Sequence, residues 1–106
     1  MAIGKSQEIK VAADQSFWVD GEGTYMVTGK CFHSAEEDAV FRSNKNLLLE
    51  AADDSITLKV GSSEIIMKKD GKISIKGSEI TMKASGDISI EAGGNLNQKG
   101  SKINQN

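Results

Sequence analysis

The chain has 106 residues, 38% of them hydrophobic and 5% aromatic, with 11 glycines, no proline, one cysteine and a formal net charge of −2. That length leaves room for one domain, and the charge gives no electrostatic case for nucleic acid. The single Cys31 excludes an internal disulfide and fits folding in a reducing cytoplasm, and no run approaches the ~20 apolar residues of a membrane helix.

At the start, Met1-Ala2-Ile3-Gly4-Lys5 lacks the apolar stretch of a signal peptide. So abrupt a beginning reads as a piece of a longer protein with an added initiator Met. From there, thirteen short segments repeat one pattern with a period of about eight residues. In the first half the pattern is rough. Ile9-Lys10-Val11-Ala12-Ala13, Phe17-Trp18-Val19 and Tyr25-Met26-Val27-Thr28-Gly29 lie eight apart. Over Cys31-Phe32-His33-Ser34 the register is ambiguous, and the acidic Glu36-Glu37-Asp38 interrupts as an outward turn. Ala39-Val40-Phe41 and Leu47-Leu48-Leu49-Glu50-Ala51 resume the pattern with one residue of slack. Apart from Phe41, the aromatic residues precede residue 33, so this end is expected to be wider or differently packed.

Beyond residue 47 the repeat is regular. A first inward series runs Ile56, Ile65, Ile73, Ile80, Ile88, Leu96, Ile103, and a second, two residues on, runs Leu58, Met67, Ile75, Met82, Ile90, Gln98, Gln105. Apolar residues alternating with Thr, Ser, Lys or Glu over three to five positions are the mark of a short strand. Between them lie Gly61-Ser62-Ser63, Asp70-Gly71, Gly77-Ser78, Ser85-Gly86-Asp87, Gly93-Gly94-Asn95 and Gly100-Ser101, residues that turn a chain sharply. Steps of seven and eight could mimic a helical heptad. The i, i+2 pairing, the β-branched residues and a glycine in nearly every repeat oppose that, since each glycine costs a helix about 1 kcal/mol relative to alanine. Absence of proline suits a molecule built of ladder hydrogen bonds.

Strands this short cannot enclose a core unless the chain coils on itself or pairs with copies. Three octads could make one ~24-residue coil of a monomeric prism. Alternatively, three chains wind together, each giving one strand per level. The octads from Ile73 to Glu91 look alike, which favours three-fold equivalence over a coil with three distinct sides. The expected fold is therefore all-β: an intertwined homotrimeric triple-stranded β-helix, a triangular prism of octads. Residues 1–46 form its less regular part, 47–103 the regular shaft and 104–106 the far end. Ile56, Leu58, Ile65, Met67, Ile73, Ile75, Ile80, Met82, Ile88, Ile90 and Leu96 are its expected trimer core. With levels ~4.8 Å apart, the rod would be on the order of 60 Å long.

Residues 47–103 resemble the C-terminal β-helix of VgrG spike proteins of the type VI secretion system, and the central spike of contractile phage tails. The resemblance is carried by Ile73-Ser74-Ile75-Lys76-Gly77-Ser78-Glu79-Ile80-Thr81-Met82-Lys83-Ala84 and by Gly86-Asp87-Ile88-Ser89-Ile90-Glu91-Ala92. It implies a cell-puncturing and delivery spike, held in the bacterial cytoplasm before firing and then secreted into a target cell through transient membrane contact. It also implies a secretion tube, joined through larger modules missing from this chain, and a PAAR-type tip protein on the blunt C-terminal end. Ile103, Asn104, Gln105 and Asn106 are the expected docking surface. Some phage spikes end in a His-x-His tip that holds an ion; this C-terminus has no His, which points to an end covered by another protein.

No catalytic, cofactor or metal site is assigned. Sequence patterns for a nucleophile elbow, HExxH or a P-loop are missing. His33, near Cys31, Glu36, Glu37 and Asp38, could meet its copies on a three-fold axis, but a packed or solvent-facing side chain is the expectation. Lys59, Lys68, Lys76, Lys83 and Lys99 share one outward position that Glu91 breaks, a solvated face with partners such as Glu64, Glu79 and Asp87. Asp20-Gly21 and Asp70-Gly71 read as turns and not calcium loops, and Asp53-Asp54 as a carboxylate pair in a turn. The alternative reading is a monomeric β-solenoid of a polysaccharide-active enzyme or ligand-binding module. Such enzymes carry longer coils and loops than this chain has. An ice-binding solenoid would show a flatter Thr ladder than Thr57, Thr81, Ser74, Ser89 and Asn97 provide.

Overall fold

The computed structural model describes Gly4 and residues 6–105. The chain is all-β, and among the described residues there is no helix. It divides into two units, Met1–Arg42 and Ser43–Asn106.

Three paired strands lie in the second unit: β1 (Ser55–Val60), β2 (Ser63–Lys68) and β3 (Ile73–Lys76). They form an antiparallel meander in the order β1-β2-β3. Turn chemistry explains both reversals. Gly61 takes φ +54° at the first position of a two-residue loop, closing Val60 onto Ser63. Glycine at that position is the signature of a II′ hairpin turn. The second loop has three residues. The Gly71 N–H donates to the Lys68 carbonyl at 3.0 Å, Gly71 follows at φ +90°, and the Lys68 N–H donates to the Lys72 carbonyl at 2.9 Å. A tight turn followed by a left-handed glycine is the usual three-residue hairpin. The Asp70 carboxylate reinforces it by accepting from the Lys72 N–H at 3.2 Å.

Elsewhere the chain consists of straight, non-helical segments separated by bends. In the first unit the bends fall at residues 12–13, 20–21, 28–29 and 36–37, and in the second the series continues at 44–45 and 52–54. After the meander it resumes at 78, 85–86, 93–94 and 101. The eight-residue period is therefore a property of the backbone. Glu36-Glu37 forms a corner in phase with the rest. The acidic run is a turn, as expected, but it falls in step with the repeat and does not interrupt it.

Val11, Val19 and Val27, each just before a corner, are 46%, 47% and 43% exposed, less than Phe17, Trp18, Tyr25 and Met26 at 89%, 87%, 79% and 88%.

No described residue is buried, and the accessible surface is 12173 Å². A compact monomer of this size exposes about 5,700 Å². Backbone hydrogen bonding is confined, among the described residues, to the meander and its flanking turns. A single-chain coil of three octads per turn would bond each segment to one about 24 residues further on, and no such bond occurs among the described residues.

Candidate self-association face

The register of the meander sorts its side chains onto two faces. Directly paired residues point the same way, and neighbours along a strand point oppositely. Ile56 pairs Met67, Leu58 pairs Ile65 and Val60 pairs Ser63; Met67 in turn pairs Ile73, and Ile65 pairs Ile75. One face is therefore apolar over all three strands. Six expected core positions, Ile56, Leu58, Ile65, Met67, Ile73 and Ile75, share it, and Val60 joins them.

The opposite face carries Ser55, Thr57 and Lys59 of β1, Glu64, Ile66 and Lys68 of β2, and Ser74 and Lys76 of β3. Glu64 lies between Lys59 and Lys76 in the register, so the expected lysine row has an acid inserted across the sheet. Opposite charges at paired positions support register. Ile66, sandwiched between Thr57 and Ser74, is the one apolar residue on this side.

Nothing covers the apolar face in the single chain. Even its central residues Ile65 and Met67 stay 39% and 40% exposed. Fully burying one such side chain contributes about 1.5–3 kcal/mol. A three-stranded sheet with an open apolar face is marginal in water and needs a packing partner.

The remaining expected core residues, Ile80, Met82, Ile88, Ile90 and Leu96, lie in straight segments after bends and are all exposed. Ile80 and Met82 are two apart, as are Ile88 and Ile90, so each pair shares a face. Ile103, Asn104 and Gln105 are exposed beyond the last bend at Ser101. Asn106, the fourth expected docking residue, lies outside the described residues, as do Met1, Ala2, Ile3 and Lys5.

The charged groups beside the meander close it structurally. Lys69 Nζ reaches Asp53 Oδ1 at 2.9 Å, and the Lys69 N–H donates to the Asp54 carbonyl at 2.9 Å. Asp54 sits at φ +64°, a left-handed position that Asp tolerates better than most residues. These contacts line an open cleft of about 500 Å³ bounded by Asp54, Ser55, Lys68, Lys69 and Asp70. The Asp53-Asp54 pair is thus engaged at the start of β1, and Asp20-Gly21 and Asp70-Gly71 occupy a bend and a turn.

Sequence reasoning passed over Val60 and left the register of the segment 30–35 ambiguous. For Val60 the signal was available: the nine-residue step from Ile56 to Ile65 marks an extra residue at the hairpin. For 30–35 it was not, because Phe32 gives the opposite face an equally apolar residue. The bends at 28–29 and 36–37 place Cys31, His33 and Ala35 in the phase of Leu47, Leu49 and Ala51. The His33 ring meets Tyr25, one octad earlier, edge to face with centroids 6.2 Å apart and planes inclined at 61°.

No family model matches the chain, and no curated protein matches it.

Proposed function

We propose that the chain is the shaft of a homotrimeric spike, a mechanical piercing and delivery module of the type VI secretion kind. The observation that carries this reading is the eight-residue corner period, running through a backbone whose described segments outside the meander and its flanking turns make no backbone–backbone hydrogen bonds within the chain. Unpaired backbone N–H and C=O groups in a water-excluded interior would be costly, so such segments call for strands from other chains. Two further copies supply them in a triangular prism. Within 55–76, each chain contributes one wall from its own meander, and the three apolar faces meet on the axis. Outside it, strands of different chains stack on one another. Either way, each octad adds one level and presents its apolar residues inward.

Function then follows from mechanics. A narrow shaft concentrates force, and a continuous ladder without lateral hinges resists buckling. The lysine-bearing outer face is solvated and discourages sideways pairing, and no nucleic acid is involved. A stack of strands must also end without templating further growth. Ile103 is the last apolar layer before the terminal amides, so this end is covered in use by a PAAR-type tip protein. Modules beyond this chain join the shaft to a secretion tube, and firing carries it from the bacterial cytoplasm across a target membrane.

Deleting residues 103–106 tests the docking end. The trimer should persist, because about twelve levels remain, while affinity for the cognate tip protein falls. Unchanged tip affinity would place the docking surface elsewhere. Small-angle scattering should give a rod on the order of 60 Å; a compact single-chain particle would refute the prism.

A further inference from the structure

We propose that residues 17–41 present an aromatic, acid-rimmed surface on the outside of the shaft that docks a basic amphipathic segment of another protein, one alternating Lys or Arg with apolar residues. The inference rests on the trimeric assembly proposed above, which covers one face of each strand and leaves the other in water.

Doubled apolar positions are the first argument. Phe17-Trp18, Tyr25-Met26 and Val40-Phe41 each lie in a straight segment, and all six side chains are between 79% and 89% exposed. Neighbours along an extended segment point to opposite faces. Whichever face the assembly covers, the other therefore keeps an apolar residue in each of these segments. Segments one octad apart adjoin, since the Tyr25 and His33 rings meet with centroids 6.2 Å apart. The meander is built differently: its register puts Thr57, Lys59, Glu64, Ser74 and Lys76 behind the apolar face, with Ile66 as the exception. Exposed apolar surface rimmed by polar groups marks an interaction site, and aromatic residues and Met are enriched at the centre of interfaces.

Charge is the second argument. Residues 12–41 hold the acids Asp14, Asp20, Glu22, Glu36, Glu37 and Asp38 against one cation, Lys30, although the whole chain carries only −2. None of these acids has an ion-pair partner among the described residues. Asp20 and Glu36-Glu37 occupy bends, and bends are the edges that the proposed shaft turns to water. Asp20 Oδ1 also accepts from the Trp18 indole N–H at 3.2 Å, which joins an acidic corner to an aromatic ring. A partner's Lys or Arg would find carboxylates at the corners and ring faces between them, and a cation over a ring face is attracted by its quadrupole. Complementary charge selects the partner. A second copy would set the same acids against these, and an anionic lipid or a nucleic acid would be repelled, so none of these is the occupant.

The test uses the full chain and three short labelled peptides: alternating Lys and Leu, alternating Lys and Ser, and alternating Glu and Leu. Binding is read by fluorescence anisotropy and particle mass by light scattering on the same samples. We expect the Lys–Leu peptide to bind the trimer about tenfold more tightly than either of the others and to weaken as salt is raised. Glu36→Gln combined with Glu37→Gln should weaken it about fivefold at unchanged mass. Phe17→Ser and Trp18→Ser separate the two faces: one should loosen the trimer, and the other should keep it and lose the Lys–Leu peptide by about tenfold or more. A trimer that binds the three peptides alike, or that keeps the Lys–Leu peptide in both serine variants, overturns the docking surface and leaves the assembly standing. Preference for phosphatidylserine vesicles, or pairing of trimers through this surface, overturns the basic partner likewise. A monomer overturns the assembly and the surface together. Should both serine variants fail to assemble, the glutamine variant and the salt dependence decide alone.

Discussion

Residues 55–76 and residues 79–105 are written in the same alphabet but are stabilised differently. In the first region, three strands find one another within the chain, and the meander has its ladder and one apolar face. In the second, Ile80, Met82, Ile88 and Ile90 follow the same alternation, yet among the described residues their segments make no backbone hydrogen bond to another segment. The strands do not make the difference; the connections do. Gly61-Ser62 and Gly77-Ser78 are the same dipeptide. Gly61 adopts φ +54° and reverses the chain, whereas Gly77 lies outside the positive-φ set and the chain only bends at Ser78. A bend redirects the backbone without pairing it to the preceding segment, and a hairpin folds it back beside the preceding strand. Both leave an apolar face that one chain cannot cover.

The largest expected effect comes from charging the region that depends most on partners. In the proposed trimer, Ile80→Asp would place three carboxylates in a dry interior, at several kcal/mol for each unpaired charge. Loss of the trimer is expected by size-exclusion chromatography with light scattering. If the variant assembles and melts like the parent, Ile80 does not face inward.

A smaller effect should separate the two kinds of connection. Gly71→Ala forces a Cβ into φ +90°, where the strain is about 1–2 kcal/mol. Gly94→Ala changes a corner with open space around it and no positive φ, and should stay within about 0.5 kcal/mol. Thermal melting of the two variants should differ by several degrees. Equal melting would mean that the hairpin is not retained in the assembled protein.

The smallest effect concerns the ion pair beside the meander. Lys69 and Asp53 are largely solvent-exposed despite their 2.9 Å contact. Lys69→Ala should therefore cost about 0.2–1 kcal/mol, less in high salt. A loss well above that range in denaturant melts would show that this pair is desolvated on assembly.

Much of this organisation can be read from residues alone. Alternation in Ile73-Ser74-Ile75-Lys76 and Ile88-Ser89-Ile90-Glu91 fixes which side chains share a face, because the strand period is two. Corner residues such as Gly93-Gly94 and Ser85-Gly86 mark the octads. The hairpins were harder to read, since the φ of a glycine depends on what its flanking strands pair with. Only the nine-residue step before Ile65 hints at reversal. The segment 30–35 stayed ambiguous because Phe32 and His33 offer both faces something to bury. The tip-proximal end has one apolar residue, Ile103, among amides, too little pattern to specify a partner.

The central claim is that the open apolar faces and unpaired segments of one chain are completed by two further copies. Sedimentation equilibrium of the full chain at low micromolar concentration tests it most directly. A single species of three chain masses, persisting on dilution through that range, is the expected result. A folded species of one chain mass, with a cooperative melt of its own, would contradict it.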